Sequence, residues 1–194
     1  SDSLSSKVLR FDGSTGASMG VSATGEPGDI FRGITYGPDG NLYAATVHAG
    51  HFDRFDGGTG TLLGILSTPE SATIGFPGFG PDGLLYAGNY FGSSINVYDI
   101  TTGELVKSFS SGGDGPNSLA FTEDGDLLVA NYFSNQIVKF EDGSGLPTVF
   151  TAGRPLHGPM DLLLLPVPEP STYAMLLAGL GLLGFMARRR KQNA

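Results

Sequence analysis

Arg10-Phe11-Asp12-Gly13-Ser14-Thr15-Gly16 returns along the chain as Arg54-Phe55-Asp56-Gly57-Gly58-Thr59-Gly60, Val97-Tyr98-Asp99-Ile100-Thr101-Thr102-Gly103 and Lys139-Phe140-Glu141-Asp142-Gly143-Ser144-Gly145. The successive spacings are 44, 43 and 42 residues. A second marker keeps the same phase: Pro38-Asp39-Gly40, Pro81-Asp82-Gly83 and Glu123-Asp124-Gly125. Two markers in step define a repeat of about 42 residues, and that period governs every other reading of the chain.

Each unit reads as four strands. A short opening strand (Gly33 to Tyr36, Phe76 to Phe79, Ser118 to Phe121) runs into an Asp-Gly turn, where glycine supplies the positive φ of a tight hairpin. The second strand covers Leu42 to Val47, Leu84 to Gly88 or Asp126 to Asn131. After a loop of small and polar residues comes the strand carrying the first marker, and a Gly-containing turn then leads to the fourth: Leu62 to Leu66, Leu105 to Phe109, Pro147 to Phe150. One four-stranded unit has two apolar faces and cannot hide both; stacking units radially does so and leaves short, protected edges. The fold class is therefore all-β, a partial β-propeller of four-stranded blades. The turns of a parallel β-helix are much shorter, and a sandwich would not phase its Asp-Gly turns so evenly.

The phase aligns Ser1 with Ala45, and Gly158-Pro159-Met160-Asp161-Leu162-Leu163-Leu164-Leu165 repeats the start of a blade before the pattern stops at Pro166. Residues 1–166 thus read as half a blade, three full blades and one opening strand, the ends supplying strands one, three and four of a blade whose second strand is absent. The expectation is a piece of a larger propeller of six or seven blades. No export signal is in view at Ser1-Asp2-Ser3.

Composition is compatible with this. Forty per cent of the 194 residues are hydrophobic, enough for a real core, and the 31 glycines and 12 prolines sit at turns between apolar runs. Four of the eleven basic residues and one of the nineteen acidic ones lie beyond position 166, so the repeat region carries a formal charge of −11. Such a surface keeps a protein soluble and repels nucleic acid. With no cysteine, the chain has no disulfide framework, no Cys-ligated zinc and no thiol nucleophile.

The stretch Gly115 to Tyr132 followed by Asn135-Gln136-Ile137-Val138-Lys139-Phe140 resembles NHL-type and streptogramin-lyase-like (SMP-30-like) propeller repeats, with a proline before the first strand, Asp-Gly between the first two and an Asn-x-Ile-x-x-Phe third strand. That resemblance covers about residues 1–165 and identifies a fold that hosts lyases, lactonases and binding proteins alike.

Beyond Pro166 the sequence changes character. Val167-Pro168-Glu169-Pro170 precedes an apolar stretch and then Arg188-Arg189-Arg190-Lys191. The 18 uncharged residues from Pro170 to Ala187 would span about 27 Å as a helix, enough to cross a bilayer core, with the helix placed at about 171–187. The basic cluster 188–191 would stay cytoplasmic and put residues 1–166 outside. In its order, Pro-Glu-Pro, apolar helix, basic cluster, the segment 167–194 resembles the PEP-CTERM sorting signal of exopolysaccharide-producing Gram-negative bacteria. The resemblance implies an exosortase as partner, cleavage near Val167-Pro168-Glu169-Pro170, and passage from a transient inner-membrane anchor to the cell surface or extracellular matrix. Pro168 and Pro170 would hold the motif extended for such an enzyme.

Candidate chemistry in the body is sparse. His48-x-x-His51 with Asp53 could touch a metal, but no repeat-equivalent ligand supports the set, which reads as an exposed polar loop; His157 precedes a blade start. Lactonase-like propellers hold a divalent metal through Glu, Asn and Asp in the central channel, and Asn89, Asn117, Asn131 and Asp161 fall where they could face one. No acidic base accompanies them, and the repeated Asn89-Tyr90-Phe91 and Asn131-Tyr132-Phe133 read more simply as turn supports. A His and Glu pair of the streptogramin-lyase type cannot be placed, and the Asp-Gly turns are too short for an EF-hand. The reading is a binding or scaffold module for polysaccharide or a surface protein, with no catalytic residue, metal ligand or cofactor assigned. Its alternative is a divalent-metal-dependent hydrolase or lyase, with Ca2+ or another divalent ion as cofactor.

Overall fold

The computed structural model describes residues 6–47, 50–67, 74–143, 145–151 and 156–165, together with Met175, Ala178 and Leu180. The chain separates into two compact units, Ser1–Leu163 and Leu164–Ala194. In the first unit, β1 (Lys7–Phe11) and β2 (Ser18–Thr24) form a two-stranded half blade. Three four-stranded antiparallel sheets follow in chain order. Blade 1 is β3 (Phe31–Tyr36), β4 (Leu42–Thr46), β5 (His51–Phe55) and β6 (Leu62–Ser67); blade 2 is β7 (Gly78–Phe79), β8 (Leu85–Asn89), β9 (Ser94–Tyr98) and β10 (Leu105–Ser110). Blade 3 is β11 (Pro116–Phe121), β12 (Leu127–Asn131), β13 (Gln136–Phe140) and β14 (Thr148–Val149).

Both sequence markers are turns at one end of the blades. The Asp-Gly turns join first to second strands, with Gly40, Gly83 and Gly125 at φ of 77°, 79° and 90°. The other marker closes the hairpin between third and fourth strands: Gly16, Gly60 and Gly103 each donate their amide to the carbonyl of Asp12, Asp56 and Asp99 at 2.8 Å. The carboxylates of Asp12 and Asp56 accept the amides and hydroxyls of Thr15 and Thr59 at 2.7–2.8 Å, so the turn is held by its own side chains.

Strand alternation then builds the core. In β4, Leu42 and Ala44 face the half blade, whereas Tyr43 and Ala45 face blade 2. In β8, Leu85 and Ala87 face blade 1 and Tyr86 faces blade 3. Every gap between neighbouring sheets is filled this way, with edge-to-face rings at its centre: Phe31 on Phe55 (6.1 Å) in the first, Phe52 on Tyr98 (5.8 Å) in the second, Tyr86 on Phe121 (4.9 Å) in the third. Such a pair adds about 0.5–1.5 kcal/mol beyond its buried area. The opening strands run so close together that only glycine fits at some points: a Cβ on Gly33 would lie 2.8 Å from the Phe76 backbone.

β7 is two residues long because Pro77 has no amide for the ladder; upstream of it Ile74 makes a single bridge to Asn89. The expected opening strand Gly158 to Leu165 forms no ladder. A strand needs a second strand beside it, and the repeat sequence that would supply one stops at Pro166. Instead the segment leans on β11, where Asn117 Nδ2 donates to the Met160 carbonyl and Leu162 N donates to Ser118 Oγ at 3.2 Å.

In the second unit Met175, Ala178 and Leu180 are helical. Among the described residues no helix is long and apolar enough to cross a membrane. The remainder of the expected span 171–187, the motif Val167-Pro168-Glu169-Pro170 and the basic cluster Arg188, Arg189, Arg190 and Lys191 lie outside the described residues.

Candidate functional site

Antiparallel blades send the loops between second and third strands, and between one blade and the next, to the end opposite the Asp-Gly turns. In blades 2 and 3 the second-to-third connections are the same tight turn. It contains Tyr90, Phe91, Gly92 and Ser93 in one blade, and Tyr132, Phe133, Ser134 and Asn135 in the next. Ser93 and Asn135 end the two turns in the left-handed region, at φ of 53° and 55°. Asn89 Oδ1 accepts the Gly92 amide at 3.0 Å, and Asn131 Nδ2 donates to the Ser111 carbonyl at 3.0 Å. Both asparagines are buried supports of this loop end.

What they support is a platform of four rings. Tyr90 lies 5.0 Å from Phe91, 5.0 Å from Phe133 and 6.0 Å from Tyr132. Phe91 and Phe133 are near parallel, 23° apart with centroids at 6.5 Å, and are 73% and 52% exposed. Beside them a cavity of about 380 Å³ is lined by Tyr132, Phe133, Asn135, His157 and Gly158, with Gly158 N donating to Asn135 Oδ1 at 2.8 Å.

Arg32 links this platform to the converging opening strands. Its guanidinium lies 4.4 Å from the Tyr90 ring centroid, and Nη2 donates to Asn117 Oδ1 at 2.6 Å. A second cavity of about 380 Å³ is lined by Arg32, Gly33, Phe76, Ser118, Asp161 and Leu162 among others. Asp161 lines this cavity, and Asn117, bonded to Arg32 and to the carbonyl of the adjacent Met160, stands beside it; both are among the four asparagine and aspartate positions singled out from sequence. Both ends of the Asn117 amide are engaged, and Asp161 Oδ1 accepts Ser118 Oγ at 2.9 Å and its neighbour Leu162 N at 2.8 Å.

His51 and Asp53 depart from the exposed loop expected for them. Both belong to β5 and point to the same face; Asp53 is fully buried and the His51 side chain is 16% exposed. Asp29, from the loop between β2 and β3, joins them. Burial and the neighbouring Asp29 carboxylate push Asp53 up to about 6, against the pull of His51. His48 lies outside the described residues.

Sequence reasoning missed the ring platform, although its signal was present: Tyr-Phe follows the asparagine in both blades. It missed Asp29 because the partner lies 22 residues upstream of His51 and no spacing rule connects them.

Among solved structures, the chain is similar to virginiamycin B lyase from Staphylococcus aureus, at 20% identity over 83% of this chain and 54% of that one, with a TM-score of 0.67. It is also similar to a streptogramin B lyase, at 18% identity over 81% and 51% with a TM-score of 0.65. A third is a protein assigned as a 6-phosphogluconolactonase from Bacteroides uniformis, at 22% identity over 82% and 51% with a TM-score of 0.61. The chain spans about half the length of these proteins. No curated protein matches it. At its C-terminal end residues 166–191 match the PEP-CTERM protein-sorting motif. The chain thus joins a fold shared with the streptogramin B lyase-like and lactonase-like β-propellers to a PEP-CTERM motif, the substrate signal of an exosortase, which marks an exported and transiently membrane-anchored protein.

Proposed function

We propose that this protein is an exosortase-sorted binding module that holds a neutral matrix polysaccharide on the ring platform of blades 2 and 3. The observation that carries the reading is the near-parallel, exposed pair Phe91 and Phe133, presented by the same turn in two consecutive blades. Exposed rings clustered on a soluble surface mark an interaction face. Flat apolar rings suit the C–H faces of a sugar, while Arg32, Asn135 and His157 nearby offer polar groups to its hydroxyls. The acidic repeat region, at −11, disfavours an anionic polysaccharide.

In this reading the segment 171–187 anchors the chain in the inner membrane of a Gram-negative cell with Arg188, Arg189, Arg190 and Lys191 inside. Cleavage at Val167-Pro168-Glu169-Pro170 then passes the propeller to the surface or extracellular matrix. The hydrolase or lyase alternative is less well supported, because Asn117 and one oxygen of Asp161 are already taken up in bonds to their neighbours.

Affinity electrophoresis of the whole protein through gels containing a neutral β-glucan or anionic alginate tests the reading. Retardation by the β-glucan should fall at least tenfold in Phe91→Ala/Phe133→Ala, with folding unchanged. Retardation by neither polymer, or an unchanged double variant, refutes it.

A further inference from the structure

We propose that Asp29, His51 and Asp53 form a binding site for a divalent first-row transition metal of the zinc class, clamping the half blade onto blade 1. The ligand atoms of the three residues lie within 4.8 Å of one another. His51 Nε2 is 3.2 Å from Asp53 Oδ1 and 3.6 Å from Asp29 Oδ2. Ligands about 2.05 Å from a tetrahedral zinc stand ~3.3 Å apart along the tetrahedron's edges, so both separations fit a shared ion without rearrangement of the backbone.

Placement of these groups follows from the strands. His51 and Asp53 alternate onto one face of β5, the face that looks toward the half blade as Phe55 does. The backbone of His51 is fixed on both sides by buried Thr46, whose Oγ1 donates to the His51 carbonyl at 2.8 Å and accepts its amide at 3.1 Å. Asp29 reaches in from the β2–β3 connection, and the backbone of Gly25 closes the other side. A Cβ on Gly25 would lie 2.4 Å from Asp53 Oδ2.

Charge and satisfaction argue for an ion. Asp53 is fully buried; the Glu26 backbone amide and His51 lie near its carboxylate, but neither oxygen accepts a hydrogen bond of good geometry. Asp29 Oδ2 and His51 Nε2 are likewise buried without one, although the Asp29 side chain is only 9% exposed. Among the described residues no lysine or arginine forms an ion pair with either carboxylate. Two carboxylates and one imidazole therefore leave a net negative charge in a buried place, which proteins sustain by pairing it or by coordinating a metal. A mixed nitrogen and oxygen donor set suits zinc and its neighbours; calcium would ask for six to eight oxygens.

Nor does the fold require the charges. The repeat places Ser94 and Asn96 at the equivalent positions of blade 2, and Gln136 and Val138 in blade 3. Those blades complete the same four-stranded ladder without a buried carboxylate there. The trio is thus an addition to one blade boundary, the one at which the partner sheet has two strands instead of four.

Isothermal titration of the untagged whole protein, stripped with EDTA, with Zn2+ alone tests the site. One equivalent should bind, the melting temperature should rise with Zn2+, and Ca2+ should do neither. Asp53→Asn and His51→Gln, each checked for a native circular dichroism spectrum, should weaken Zn2+ at least 100-fold and lose the thermal shift. Tetrahedral visible bands should appear on loading the wild type with Co2+, and this readout does not depend on the variants folding. Failure of the wild type to bind one equivalent, octahedral Co2+ spectra, or variants that bind as the wild type does would overturn the proposal.

Discussion

Gly16, Gly60 and Gly103 offer a comparison in which one contact is isolated. All three occupy the same turn with nearly the same φ, 69°, 72° and 78°. Alanine at any of them pays the left-handed conformation, about 1–2 kcal/mol. Around Gly16 nothing lies within 4 Å of a Cβ, and at Gly103 only Leu66 Cδ1 comes near, at 3.5 Å. At Gly60 the Cβ would overlap the Ser22 carbonyl oxygen, at 1.6 Å, and meet the Ser22 carbonyl carbon at 2.8 Å. Ser22 is backbone of β2, so blade 1 and the half blade must separate or the hairpin must shift. Overpacking of that kind costs about 1–3 kcal/mol more. Gly60→Ala should therefore destabilise by about 2–5 kcal/mol, and Gly16→Ala and Gly103→Ala by about 1–2 kcal/mol. Urea unfolding followed by near-ultraviolet circular dichroism measures all three, tyrosine providing the signal in a chain without tryptophan. Equal losses at Gly16 and Gly60 would refute the close approach of the two sheets.

Other outcomes follow from the turns and the tail. Asp56 and Asp99 are held below the ordinary carboxylate range, first by the backbone amides of Thr59 and Thr101 and then by their hydroxyls. Their folded values lie under the unfolded one near 3.8, so the stability they contribute is present above that pH and is lost as pH falls below it. Asp56→Asn/Asp99→Asn should accordingly flatten the decline of the urea midpoint between pH 4 and more acid conditions; a decline as steep as that of the wild type would count against the turn assignment. Glu169→Ala should leave the full-length anchored form in the membrane fraction of cells containing an exosortase, whereas the wild type is shortened, as immunoblotting with an antibody to the propeller would report.

The repeat was legible because its two markers are turns, and turn chemistry is local: Asp-Gly and Asp-x-x-Thr-Gly fix their hairpins with atoms a few residues apart. The same locality explains Asn89, which accepts the amide of Gly92 three residues on, whereas Asn131 reaches back to Ser111 in the connection between blades 2 and 3. Where partners come from different blades the sequence is mute. Arg32 meets Tyr90 and Asn117, 58 and 85 residues away, and nothing in the run around Arg32 announces either. Asp29 finds His51 and Asp53 only because the β2–β3 connection folds over the end of β5. Gly158 to Leu165 shows the converse, since its residues favour a strand but among the described residues it finds no second strand to pair with.

The second strands, whose alternate residues feed the cores on either side, give the molecule the energetics of a one-dimensional lattice. Leu42 and Tyr43 are adjacent in sequence yet belong to different cores, so any shift of β4 is transmitted to both. Between Phe55 and Phe140 lie two relays, β4 and β5 joining the first core to the second, and β8 and β9 joining the second to the third. Damage at one boundary is thereby attenuated at each strand it must cross, and substitutions in non-adjacent boundaries act independently while those in adjacent ones couple. A protein built this way can accumulate changes in one core while the core two boundaries away keeps its packing, with Arg32, which reaches from blade 1 to Tyr90 and Asn117, a direct tie across that distance.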